Sequence, residues 1–129
     1  MGLQIVGCAS GPSFAITQAS FKPLKSGNGR VFLYREGLYS GSVIHPQILI
    51  DGKEVGKAVP NGFFYVDLPP GSHLVSAGKW QERISLVAGE LAYVELLLKD
   101  GDFLWSVRPI QIDPDQGNTI IQKLSYTGQ

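Results

Sequence analysis

The sequence is poor in the residues from which most active sites are assembled. It has one cysteine, Cys8, so an intrachain disulfide and a cysteine-based metal site are both excluded. It has two histidines, His45 and His73, and neither has a second ligand-type residue at metal-binding spacing. No metal and no cofactor is expected. Charge of one sign is missing as well. Lysine plus arginine and aspartate plus glutamate each total 11, so no basic field exists to hold a phosphate backbone, and nucleic acid is not an expected partner. No apolar run approaches the roughly 20 residues that cross a bilayer as a helix. No Gly-x-Ser-x-Gly elbow is present, and Gly27-Asn28-Gly29 leads into a strand, so no helix N-terminus follows it to receive an anion.

Turns are abundant. Asp51-Gly52, Asn61-Gly62, Pro70-Gly71, Gly78-Lys79, Ala88-Gly89 and Asp100-Gly101 recur at short, even intervals. Glycine and asparagine supply positive φ there and proline presets the corner. The stretches between them are β-branched and aromatic, and each is long enough for one strand. Residues 30–35, 47–50, 63–68, 73–77, 83–87, 91–98 and 103–112 give about seven strands. The expected fold is all-β, an immunoglobulin- or prealbumin-like antiparallel sandwich with aligned sheets. Ile84 and Leu86 are expected to face inward while Arg83 and Ser85 face out. Residues 91–98 carry apolar side chains on both faces, which marks a central or doubly covered strand. Asp51-Gly52 and Asp100-Gly101 suit type I′ hairpins, and Gly71 is expected at positive φ. Near the C-terminus, Asn118-Thr119 is read as the cap of a short helical turn that aligns Ile120, Ile121 and Leu124.

The N-terminal region reads differently. Ile5-Val6-Gly7-Cys8 fits a lipobox, in which small residues precede the cysteine that takes the lipid. Residues 9–29 are rich in serine, glycine, proline and lysine and read as a linker with at most one short docked strand. Residues 1–28 are therefore expected to be a truncated signal with lipobox and flexible tether, and residues 29–129 a single sandwich domain. The seven residues before Cys8 are too few for a secretory signal and contain no lysine or arginine. A second reading stays open, in which Leu3 to Val6 is an edge strand and Cys8 a buried hydrophobe.

Among the aromatics, Tyr34, Tyr65 and Tyr93 lie inside strands and are expected to pack. Trp80, at a hairpin tip, is expected to be the most exposed ring and is the candidate contact residue. His73 follows Pro70-Gly71-Ser72 and is expected to hydrogen-bond that turn. Asp113 and Asp115 flank Pro114 in what reads as a loop, a weak pattern for a cation. Asp67 and Glu95 lie in apolar strands, and each is expected to be exposed or bonded to a turn, with no second acid or base in reach. No catalytic residue is assigned.

Residues 29–35, 48–56 and 61–73, together with Ala88-Gly89-Glu90 and Tyr93-Val94, closely resemble the bacterial domain-of-unknown-function 2846 family. Asp51-Gly52 through His73 is also similar to the PEGA module, a small surface-associated β-sandwich. The resemblance implies a small envelope lipoprotein and brings no catalytic residues. The function expected is thus a non-catalytic structural or interaction module on the extracytoplasmic or periplasmic face of a membrane. Cys8 would anchor it, and an envelope protein or polysaccharide would be its partner. The alternatives are a carbohydrate- or peptide-binding module that uses exposed aromatics, and a small hydrolase.

Overall fold

Backbone conformation at a few turn residues sets the strand pairing. In a computed structural model, residues 11–18, 21–37, 44–99 and 106–128 are described. The elements in chain order are α1 (Phe14–Thr17), β1 (Gly29–Arg35), β2 (Gln47–Ile50), β3 (Lys53–Lys57), β4 (Gly62–Leu68), β5 (Gly71–Ala77), β6 (Trp80–Leu86), β7 (Leu91–Lys99), β8 (Ser106–Ile112), α2 (Pro114–Ile121) and β9 (Ser125–Tyr126). Asp51 and Gly52 have φ of 53° and 84°, the pair of positive values a type I′ turn requires, and they join β2 to β3. Gly71, at φ 128°, follows Pro69-Pro70 where the chain leaves one sheet for the other, as expected. Asp100-Gly101 lies outside the described residues.

One sheet has the order β8-β7-β1-β4-β9 and the other β3-β2-β5-β6. The second sheet is antiparallel throughout, whereas the first is mixed. Its β1 runs parallel to β7, with Tyr34 opposite Glu95, and β9 runs parallel to β4. Parallel neighbours need a long connection. Here β2 to β6 supply it between β1 and β7, and sequence patterning alone does not reveal such a pairing. The sandwich itself is as expected, with two strands added. Lys53–Lys57 is too polar to read as a strand, and Ser125–Tyr126 is only two residues long.

Alternation along the central strands builds two cores. Val31, Leu33, Phe64 and Val94 point at the second sheet and meet Ile48, Val75, Ile84 and Leu86. Arg83 and Ser85 point outward. Phe32, Tyr34, Phe63 and Tyr93 point the other way, where Phe14, Ile121 and Leu124 cover them. All seven residues of β1 are buried, and β7 is central with apolar residues on both faces, as its sequence implies.

The covering layer changes the reading of two segments. Part of the expected tether is structural: Pro12 O accepts from Tyr126 N, Ser13 bridges Ser125, and Phe14 is buried against Phe63 with ring centroids 5.6 Å apart. Burying one such ring contributes about 1.5–3 kcal/mol, enough to hold a segment whose composition reads as linker. The C-terminal helix exists, but Asn118 and Thr119 lie inside it. Its cap is Asp113, whose carboxylate accepts from the amides of Asp115 and Gln116, with Pro114 opening the helix. That is the role of the two carboxylates flanking Pro114.

Candidate functional site

Among the polar groups of the described residues, the Arg30–Asp67 pair borders a groove. Arg30 and Asp67 sit opposite each other across β1 and β4. Their parity puts both side chains on the aromatic face. Arg30 Nε donates to Asp67 Oδ1 at 2.6 Å and Nη2 to Oδ2 at 2.9 Å, a bidentate pair. Nη2 also donates to the Lys22 carbonyl, and the guanidinium lies 4.3 Å from the Tyr65 ring centroid. Asp67 is therefore committed to an arginine and not to a turn. The sequence signal for the pair is Asp67 as the single charge of β4 and Arg30 near the start of the largely apolar β1.

Beside this pair lies a groove of about 360 Å³ between β3 and β4. Tyr65 and Tyr126 stack along its rim at 6.1 Å and 24°, and the Tyr65 hydroxyl accepts from Lys22 N at 3.0 Å. Burial, and then the neighbouring Tyr65, push the Tyr126 phenol up. Gly56 forms the opposite wall: a Cβ there would come within 2.7 Å of the Phe64 ring. Lys22 and Lys57 also line the groove, both exposed.

His73 occupies a separate network on the second sheet. Its Nδ1 lies 2.6 Å from Asp51 Oδ2 and its Nε2 lies 2.7 Å from Pro69 O. The expected contact with the turn is present. Asp51 comes with it, because β2 and β5 are neighbours, although the two residues are far apart in sequence. Burial lowers the His73 pKa, but the bonds to Asp51 and Pro69 outweigh it and the net direction is up. The Asp51 carboxyl is held down by the same histidine bond and by the Leu74 amide. His45 is exposed.

Glu95 departs from expectation. It is half-buried on β7 and has a second acid in reach: burial, and then Glu36, raise its pKa. Tyr34 beside it is fully buried, and its phenol is raised first by burial and then by these two carboxylates. Among the described contacts, Asp67 pairs with Arg30 and Glu95 faces Glu36.

Trp80 also differs. It is half-buried at the start of β6, donates to Ser106 Oγ at 2.9 Å, and lies between Lys79 and Arg108, whose charged groups are 5.3 and 5.2 Å from its centroid. The β6 and β8 edges close on each other there, so the ring is part of a seam and not a free tip. Tyr34 and Tyr93 are buried and Tyr65 half-buried, as expected. Cys8 lies outside the described residues. Among the described residues no cluster of three metal-type ligands occurs, and no helix is long and apolar enough to cross a membrane.

Comparisons with known proteins place this geometry in context. An uncharacterised protein of Haemophilus influenzae is 23% identical over 133 residues, covering 97% of this chain and 79% of that protein. The N-terminal domain of AlgF from P. aeruginosa superposes with a TM-score of 0.44 at 16% identity, covering 66% of this chain and 95% of that one. Residues 25–109 match the family described as "Protein of unknown function (DUF2846)", and the chain belongs to that family.

Proposed function

We propose that the protein is a non-catalytic envelope lipoprotein, anchored by acylation of Cys8, whose sandwich serves as a structural or interaction module. The observation that carries this reading is the lipobox-like Ile5-Val6-Gly7-Cys8 just ahead of the folded domain. Pro12 is already fixed to β9 through Tyr126 N, so only four residue steps separate it from Cys8, about 14 Å at full extension. An anchored domain would be held against the membrane with its α1 and β9 end inward. Support for a non-catalytic role comes from His73, whose two ring nitrogens both face an acceptor. Neither is free to take a proton from a substrate. Asp67 is likewise neutralised by Arg30.

The test is fractionation of the full-length protein expressed from its own locus, with metabolic labelling by an alkyne fatty acid. The parent should label and partition with membranes, and Cys8→Ser should do neither. Membrane retention of Cys8→Ser equal to the parent would place the anchor elsewhere. A second reading, a binding module with an aromatic contact surface, is favoured by one feature. Tyr65 and Tyr126 stack at the rim of an open groove, which moves the contact surface away from Trp80.

A further inference from the structure

Sheet edges carry unpaired backbone groups, and folded proteins usually blunt them with charge, proline or a covering element. Three edges of this sandwich are managed in these ways. The outer edge of β3 bears the exposed charges of Lys53, Glu54 and Lys57. The β6 and β8 edges cover each other: Glu82 accepts from Gln111 N at 3.1 Å, and β8 includes Pro109, which has no N–H to leave unpaired. The fourth edge is different. Short β9 covers β4 at Gly62 and Phe63 only, ending with Thr127 N donating to Phe63 O.

Backbone groups alternate sides along a strand. Since Phe63 points its carbonyl at β9, the N–H and C=O of Tyr65 and Asp67 point the same way. Among the described residues no strand pairs with them there. They face the groove between β3 and β4, which Tyr65 and Asp67 both line. Among the described residues the usual protection is missing. The one charge on this stretch, Asp67, is turned into Arg30, and the prolines come only after the strand ends.

We propose that the uncovered edge of β4, Tyr65 to Leu68, accepts an extended acidic peptide as an added strand in line with β9. Main-chain bonds to Tyr65 and Asp67 hold its backbone, as in other strand-addition complexes. Alternate side chains lie against Phe64 and Val55 on one side and against the Tyr65 and Tyr126 rings on the other. Charge decides the partner's chemistry. With Asp67 cancelled by Arg30, the groove presents Lys22 and Lys57, which make no ion pair among the described residues. An acidic strand is attracted and a basic one repelled. The proposal rests on the binding-module reading and stands independently of the anchor at Cys8.

The experiment is an NMR titration of the full chain with a short blocked peptide of alternating glutamate and valine, read by amide hydrogen exchange. The Tyr65 and Asp67 amides should gain protection while the Gly62 amide does not change. A lysine–valine peptide should bind far more weakly. Lys22→Glu combined with Lys57→Glu, both exposed and away from the cores, should weaken the acidic peptide on the order of tenfold and favour the lysine peptide. Equal binding of the two peptides by the parent, or no new protection at Tyr65 and Asp67, overturns the proposal. So does protection of those amides in the free protein that rises with protein concentration, which would make a second copy the occupant. Shifts at the tyrosine rings with neutral polysaccharide alone would overturn the peptide while retaining the groove as a binding surface.

Discussion

His73 offers a direct test of the electrostatics, because its geometry dictates its protonation. A neutral imidazole has one N–H, yet both ring nitrogens face oxygen acceptors, Asp51 Oδ2 at 2.6 Å and Pro69 O at 2.7 Å. Only the imidazolium satisfies both. Deprotonation removes one donor and sets a lone pair against an oxygen lone pair in a site where His73 is 8% exposed. Losing one such bond costs about 1–2 kcal/mol, with the half-exposed Asp51 keeping the figure toward the lower end. The sign follows from the raised folded-state pKa. The contribution is fully present below the unfolded value of about 6.5 and disappears as pH rises through the folded value. Asp51 acts at the other end: its pKa is lowered, so its contribution holds above about 3.9 and is lost as pH falls through the folded value. Urea unfolding across a pH series should therefore show the parent losing stability relative to His73→Gln on the alkaline side. The glutamine keeps one donor, for Pro69 O, and does not titrate. Parallel curves for parent and His73→Gln from about pH 6 to pH 9 would mean that folding leaves the pKa of the ring unshifted.

Two further substitutions probe the packing and the corner. Gly117→Ala should lower stability by up to about 2 kcal/mol in thermal melts: alanine gains roughly 1 kcal/mol of helix propensity, but overpacking costs about 1–3. Its Cβ would meet Tyr93 Cβ and Cγ at 2.5 Å, and that ring is locked by stacking on Phe32 at 5.2 Å; a stabilised Gly117→Ala would show that α2 can lift away freely. Gly71→Val should cost on the order of 1–3 kcal/mol through backbone strain at φ 128°. Nothing lies within 4 Å of its Cβ, so an unchanged melt could not be attributed to relieved crowding and would refute the positive φ.

The parts of this fold legible in the sequence are those governed by local physics. Asp51-Gly52 and Pro70-Gly71 announce their corners because few other residues adopt the backbone they need. The Arg83-Ile84-Ser85-Leu86 alternation shows its buried side because side chains alternate across a pleat. What stayed hidden depends on partners distant in sequence. The parallel β1–β7 pair, the Asp51–His73 contact and the Arg30–Asp67 bridge arise from topology, and spacing along the chain carries no trace of topology. Composition is a poor guide to the N-terminal segment for a related reason. Its glycine, serine and proline content fits a tether, but one buried ring, Phe14, with Phe21 packed beside it, outweighs that composition once an aromatic face is there to receive them. Asp113 is legible too: an aspartate before proline with glutamine three residues on is a helix-start pattern, although its polarity also fits a loop.

Burial of the first sheet on both faces also constrains how the domain can meet a partner. With one face given to the sandwich core and the other to α1, α2 and the N-terminal segment, neither broad surface of β1, β4 or β7 is free. Contact through the sheet then has to be made at its margin. The margin at β8 is closed by β6, which leaves the β4 side. That side adjoins Tyr126, which both lines the groove and receives Pro12. Were Cys8 acylated as proposed, a leash of about 14 Å would bring a peptide bound along β4 within reach of the membrane surface. Anchor and groove would then act on one partner, a membrane-proximal acidic strand, and detaching the anchor should weaken capture in cells while leaving the titrated affinity unchanged.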